Sequence, residues 1–121
     1  MSTTISLPHG WKHLRTEADF AGALQESDTR PVVIFKHSTT CGISNHKFFE
    51  LQEDWNANSD EIALYYLDLL AYRPISNLVA EQMRVIHQSP QMLVIKNRGV
   101  VANASHAYAT FDFVKKSLEK A

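Results

Sequence analysis

The run Pro31-Val32-Val33-Ile34-Phe35 offers no polar residue to face water, and it ends in the polar octapeptide HSTTCGIS, residues 37 to 44. A strand of that composition needs cover on both faces, so the chain must supply helices to either side of a sheet. It does. Ser44, Phe48, Leu51 and Trp55 recur at steps of four, three and four, the stripe of an amphipathic helix that starts at Cys41 and runs to about Ala57. Thr16 with Asp19 after it opens an earlier helix carrying Phe20, Ala23 and Leu24. Pro74 suits the first turn of a third helix with Leu78, Val79 and Met83. Thr110 suits the cap of a fourth, in which Phe111, Val114 and Leu118 share a face.

Between these helices lie further strand signals. Ile62 to Asp68 and Gln91 to Ile95 are short, β-branched and aromatic, and Asn97 to Gly99 turns the latter into Val100-Val101-Ala102 as a hairpin. Trp11 to Leu14 adds a short edge strand. The order β-α-β-α-β-α-β-β-α predicts an α/β protein with a mixed central sheet, helices on both faces and antiparallel edge strands from the hairpin. With 121 residues, 45% of them hydrophobic, one domain with a modest core is expected.

Composition narrows the partners. Twelve Lys and Arg against thirteen Asp and Glu give no electrostatic reason for nucleic acid or an anionic membrane as a partner. No apolar run is long enough to span a bilayer, and the N-terminus has no continuous apolar core of a leader, so a cytoplasmic protein is expected. One cysteine excludes an internal disulfide.

That cysteine stands at the start of a helix that follows a buried strand. The thiolate is the nucleophile in disulfide exchange, and helix N-termini favour it through the macrodipole and their unpaired N–H groups. Lys36, His37 and Lys47 are close enough in sequence to add positive charge. Ser44 occupies the position where a second cysteine would close an internal disulfide. It cannot do so, but its hydroxyl can donate a hydrogen bond to a thiolate, while Thr39 or Thr40 is placed to cap the helix.

Cys41-Gly42-Ile43-Ser44 resembles the Cys-x-x-Ser form of a thioredoxin-like active site, and Ser89-Pro90 before a strand resembles that superfamily's cis-proline. More narrowly, FKHSTTCGIS together with VIHQSPQMLVIKNRGVVANASH resembles the monothiol bacilliredoxin-like proteins of the bacillithiol system, from Val32 to the end of the chain. The resemblance implies a single thioredoxin-like domain over residues 1–121. It implies a monothiol thiol-disulfide oxidoreductase in which Cys41, assisted by Ser44, reduces mixed disulfides between proteins and bacillithiol. Thr40, Gly42, Ser89, Pro90, Lys36 and His37 would contact substrate, with Ser89 pairing an incoming cysteinyl backbone. No metal or cofactor is implied, bacillithiol serving as co-substrate. The partners would be bacillithiol-modified client proteins and a low-molecular-weight thiol. Lys36, Arg73 or Arg98 could meet the carboxylates of bacillithiol's malate portion.

Two alternatives stand beside this. Monothiol glutaredoxins carry Cys-Gly-Phe-Ser, but here Asn103-Ala104-Ser105-His106 replaces their paired-glycine and aspartate stretch for glutathione. The other is a non-catalytic iron-sulfur carrier with Cys41 contributed by each of two subunits. The remaining candidates have plainer readings. His9 and His13 are surface histidines rather than a metal pair. His37 and His46 flank Cys41 without the oxyanion hole of a hydrolase, and Phe48, Phe49, Trp55, Tyr65 and Tyr66 are packing residues.

Overall fold

Strand β2, Val32–His37, is buried along its whole length and lies in the middle of the sheet. The computed structural model describes residues 7–120. The other elements are β1 (Lys12–His13), α1 (Glu17–Glu26), α2 (Gly42–Asp54), β3 (Ala63–Asp68), α3 (Arg73–Met83), β4 (Gln91–Lys96), β5 (Gly99–Ser105), a short 3-10 turn (His106–Tyr108) and α4 (Phe111–Lys120). The sheet order is β1-β3-β2-β4-β5; β1 and β2 run parallel to β3, whereas β4 is antiparallel to both β2 and β5. The expected architecture is present, with one correction. Only β5 of the hairpin lies at an edge; β4 pairs on both sides, as its five buried apolar and amide residues Gln91 to Ile95 require.

Alternation along the strands divides the core. Val32, Ile34, Ala63, Tyr65, Leu67, Leu93 and Ile95 face the layer that includes Phe20 and Val79 of α1 and α3. Val33, Phe35, Leu64, Tyr66, Met92 and Val94 face the layer that includes Leu51 and Val114 of α2 and α4. Successive side chains on a strand point to opposite faces, so the next two residues of β2 part company: Lys36 continues the α1 and α3 series, His37 the α2 and α4 series.

Local chemistry sets the ends. Thr16 Oγ1 accepts the Asp19 N–H at 3.0 Å while Asp19 Oδ2 accepts the Thr16 N–H at 3.1 Å, a reciprocal box at the start of α1. Helix α2 stops at Asp54, short of Ala57, with Trp55 packed against Trp11 and Phe111. The hairpin turn is Asn97-Arg98, both at positive φ. Two such residues build the turn whose twist matches paired strands. Arg98 is held there by its N–H to Ser27 Oγ at 2.9 Å and by Asp28 at 2.9 Å.

Candidate active site around Cys41

Cys41 is partly exposed and is itself the N-cap of α2. Its N–H reaches the Ser38 carbonyl at 3.1 Å, and its own carbonyl accepts the Asn45 N–H at 2.9 Å. Among the described residues no side-chain hydrogen bond caps the helix. The expected hydroxyl cap is therefore absent: Thr40 is exposed and its hydroxyl lies 3.5 Å from that of Ser38, because the helix begins one residue later than a Thr40 cap requires. The first-turn N–H groups are left without a side-chain acceptor, which suits them to an anion at the sulfur. Gly42 is exposed, and a Cβ there would meet nothing within 4 Å.

Ser44 is fully buried, and its hydroxyl is committed elsewhere than expected. Ser44 Oγ accepts the Ser38 N–H at 3.0 Å and lies 2.7 Å from His37 Nδ1. Among the described residues no hydrogen bond joins Ser44 to Cys41. When Nδ1 carries no proton the hydroxyl donates to it, and the serine proton is directed into the core rather than to sulfur. His37 is buried among Phe35, Phe48 and Tyr66, with the Phe48 ring centroid 4.9 Å away. Burial holds its pKa below the ordinary 6.5, against the opposing pull of Asp68 and of hydrogen bonding from Asn45 and Ser44. His37 thus fixes the β2-to-α2 turn from beneath. The alanine variant Ser44→Ala strips both His37 and the buried Ser38 N–H of their partner, and a loss of about 1–3 kcal/mol in urea unfolding is the expected result.

The flanking charges divide. Lys36 lies on the opposite face of the sheet from His37, its Nζ 3.1 Å from the Ser76 carbonyl and 3.3 Å from His87 Nδ1. With no exposure, it cannot touch a substrate directly. Lys47 is paired with Glu50 at 2.7 Å, and His46 approaches the same carboxylate at 3.2 Å. Arg98 sits in the β4-β5 turn beside Asp28, at the opposite end of β4 from Gln91 and outside the site. Arg73, by contrast, is exposed at the first residue of α3 and lies 3.3 Å from His87 Nε2.

The Ser89–Pro90 peptide is cis. The Pro90 carbonyl accepts the His106 N–H at 3.0 Å, and the turn beginning at His106 lies against α2, which ties Pro90 to the helix of Cys41. Among the described residues Ser89 makes no hydrogen bond, and its Oγ is buried without a partner. One residue to which the sequence assigned no role beyond opening a strand shapes this loop. Buried Gln91 donates to the Ile86 carbonyl at 2.9 Å and accepts the Gln88 N–H at 3.3 Å, holding the segment that carries His87. The signal was available: an amide opening an otherwise apolar strand needs partners close by. Two other expectations are corrected. His13 is half-buried with its ring edge-on to Tyr66, and Phe49 is 61% exposed on α2 rather than packed.

A family model described as monothiol bacilliredoxin BrxC matches residues 12–113. The chain belongs to this family. Solved structures agree with the fold. A candidate oxidoreductase with a thioredoxin fold is 24% identical, with a TM-score of 0.76, over 90% of this chain and 94% of that one. Thioredoxin O2 from Arabidopsis thaliana in its oxidised state is 20% identical, with a TM-score of 0.69, over 92% and 93%. The thioredoxin of Malassezia sympodialis is 16% identical, with a TM-score of 0.70, over 98% and 97%. The chain is thus a thioredoxin-fold monothiol redox protein. Among the described residues no helix is long and apolar enough to cross a membrane.

Proposed function

We propose that the protein removes bacillithiol from client proteins, with Cys41 as its nucleophile. The observation that carries this reading is a partly exposed lone cysteine capping a helix whose first-turn N–H groups lack a side-chain acceptor among the described residues, in a chain of the monothiol bacilliredoxin family. The Cys41 thiolate attacks the bacillithiol sulfur of the mixed disulfide. A new Cys41–bacillithiol disulfide forms, the client's S–S bond breaks, and the client leaves as a thiolate that takes up a proton from water. A second thiol, free bacillithiol or a partner's cysteine, then attacks the bacillithiol sulfur and returns the Cys41 thiolate. No cofactor beyond this co-substrate enters the cycle.

Ser44 acts indirectly: bound to His37 and to the Ser38 N–H, it sets the turn that presents the sulfur. Thr40 and Gly42 border the sulfur from the exposed side, Gly42 leaving room for the attached thiol. Ser89, whose backbone and hydroxyl are without partners among the described residues, pairs with the backbone of the incoming cysteinyl unit, as an added strand would. The test is de-thiolation of one model client carrying either bacillithiol or glutathione, with mass spectrometry of the enzyme. The expected result is faster turnover of the bacillithiol form and a single bacillithiol adduct on the protein. Equal turnover of both would sink the stated preference, and a protein left unmodified by oxidised bacillithiol would sink the mechanism.

A further inference from the structure

On the α3 side of the sheet's active end, two basic side chains meet around one imidazole, that of His87. Lys36 Nζ lies 3.3 Å from His87 Nδ1, and Arg73 Nη1 lies 3.3 Å from His87 Nε2. Ser76 adds its hydroxyl at 3.4 Å from Nδ1 and its carbonyl at 3.1 Å from Nζ. Among the described residues no carboxylate is ion-paired with Lys36, Arg73 or His87. The nearest acid along the strands, Asp68 at the end of β3, accepts the N–H groups of Leu70 and Ala71 and is the register partner of His37, on the other face of the sheet from Lys36. From β4, the facing group is the neutral amide of Gln91, which holds the loop.

The geometry is unsatisfied as it stands. Lysine ammonium and guanidinium are donors only, and a neutral imidazole has one donor and one acceptor nitrogen. If Nδ1 accepts from Lys36, then Nε2 bears a hydrogen and faces the Arg73 guanidinium, donor against donor. If Nε2 accepts from Arg73, then Nδ1 bears the hydrogen and can pass it to Ser76 Oγ at 3.4 Å, but a charged Lys36 still faces that N–H at 3.3 Å, donor against donor. An anion seated between Arg73 and His87 removes the conflict: Nε2–H and the guanidinium both donate to it, and Nδ1 accepts from a charged Lys36.

We propose that Arg73 and His87, backed by the buried Lys36, form a carboxylate-binding subsite for the small thiol carried by Cys41, with Lys36 charged behind the imidazole when the anion is seated. This rests on the oxidoreductase reading above. The placement agrees with it: β2 runs from Lys36 into the Cys41 loop, Arg73 begins the helix that follows β3, and His87 lies in the loop that leads to Pro90. Burial and the adjacent Arg73 bring the pKa of Lys36 down from 10.5 to about 8, so the charged subsite is the neutral-pH form and is lost in alkali.

The test uses one model client carrying two amine-free thiols as mixed disulfides, mercaptosuccinate with its two carboxylates and 2-mercaptoethanol with none. The readout is the ratio of kcat/KM for the two, in which the ionisation of Cys41 cancels because the same sulfur attacks both. The ratio is expected to fall about tenfold in Arg73→Gln and in His87→Gln, the loss of one charge-assisted contact. In the native protein it is expected to fall about fivefold between pH 7 and 9.5 as Lys36 loses its proton. Arg98→Ala, remote at the hairpin, should leave it unchanged. A ratio near one, insensitive to both variants and to pH, would overturn the subsite. Retained turnover of bacillithiol-modified client in that case would leave the oxidoreductase reading standing.

Discussion

Cys41→Ser is expected to lower de-thiolation by at least about a thousandfold, to the rate of the uncatalysed exchange between client and free thiol. An alkoxide equivalent is not available at neutral pH from an ordinary serine, and no other cysteine exists in the chain to replace the lost sulfur. The fold should be unaffected: the cysteine is partly exposed, its side chain makes no capping hydrogen bond, and serine is a favourable N-cap residue. Unfolding curves that coincide with the native protein's, together with absent turnover and no thiol adduct in the mass spectrum, would complete the result. Turnover within tenfold of the native rate would show that the chemistry lies elsewhere.

The second large effect concerns stability and has the opposite sign from most core substitutions. Lys36→Met should stabilise the protein by about 2 kcal/mol at pH 7. Lys36 has no exposed surface, and burial with Arg73 alongside brings its pKa from 10.5 to about 8. At 1.36 kcal/mol per pKa unit, holding that charge in the folded chain costs about 3 kcal/mol at neutral pH. Loss of the bond to the Ser76 carbonyl gives back about 1 kcal/mol, while methionine fills a similar volume. The direction of the pH effect follows. Between about pH 8 and 10.5 the unfolded chain binds the proton that the folded chain has released, so native stability rises across that window. The Met variant lacks this rise, and its advantage should be greatest below pH 8 and gone by about 10.5. Chemical denaturation at pH 7 and pH 10 reads both. A variant less stable than the native protein at pH 7 would mean that Lys36 is compensated by a charge the structure does not place there. A stabilising substitution at the proposed subsite is the trade of stability for function expected where a buried charge serves binding.

Much of the scaffold was legible because its signals are local. Val32 to Phe35 is too uniformly apolar for anything but a strand covered on both faces, and the Thr16–Asp19 box marks a helix start within four residues. The hairpin turn was legible too, although its central residues are Asn97 and Arg98 rather than the glycine that follows; Ser27 and Asp28, seventy residues away in sequence, are what hold Arg98 at positive φ. Helix α2 was read too long at its end, since Trp55 keeps the apolar spacing while its ring is drawn out of register by Trp11 and Phe111. The antiparallel placement of β4 against β2 depends on which strand edge was free, a property of the assembled sheet.

By itself the sequence determined which residue can serve as the sulfur nucleophile of the proposed reaction, and the limit on its chemistry. One cysteine at a strand-to-helix junction, with serine where a resolving thiol would stand, allows a mixed disulfide and forbids an internal one, because both facts are covalent. The tertiary structure decided what each neighbour does, because hydrogen-bond direction and strand alternation are settled only when layers pack. Ser44 turned from the sulfur to His37. Lys36 and His37, adjacent in the chain, went to opposite faces of the sheet, one into a basic cluster with Arg73 and His87, the other beneath the turn that presents Cys41.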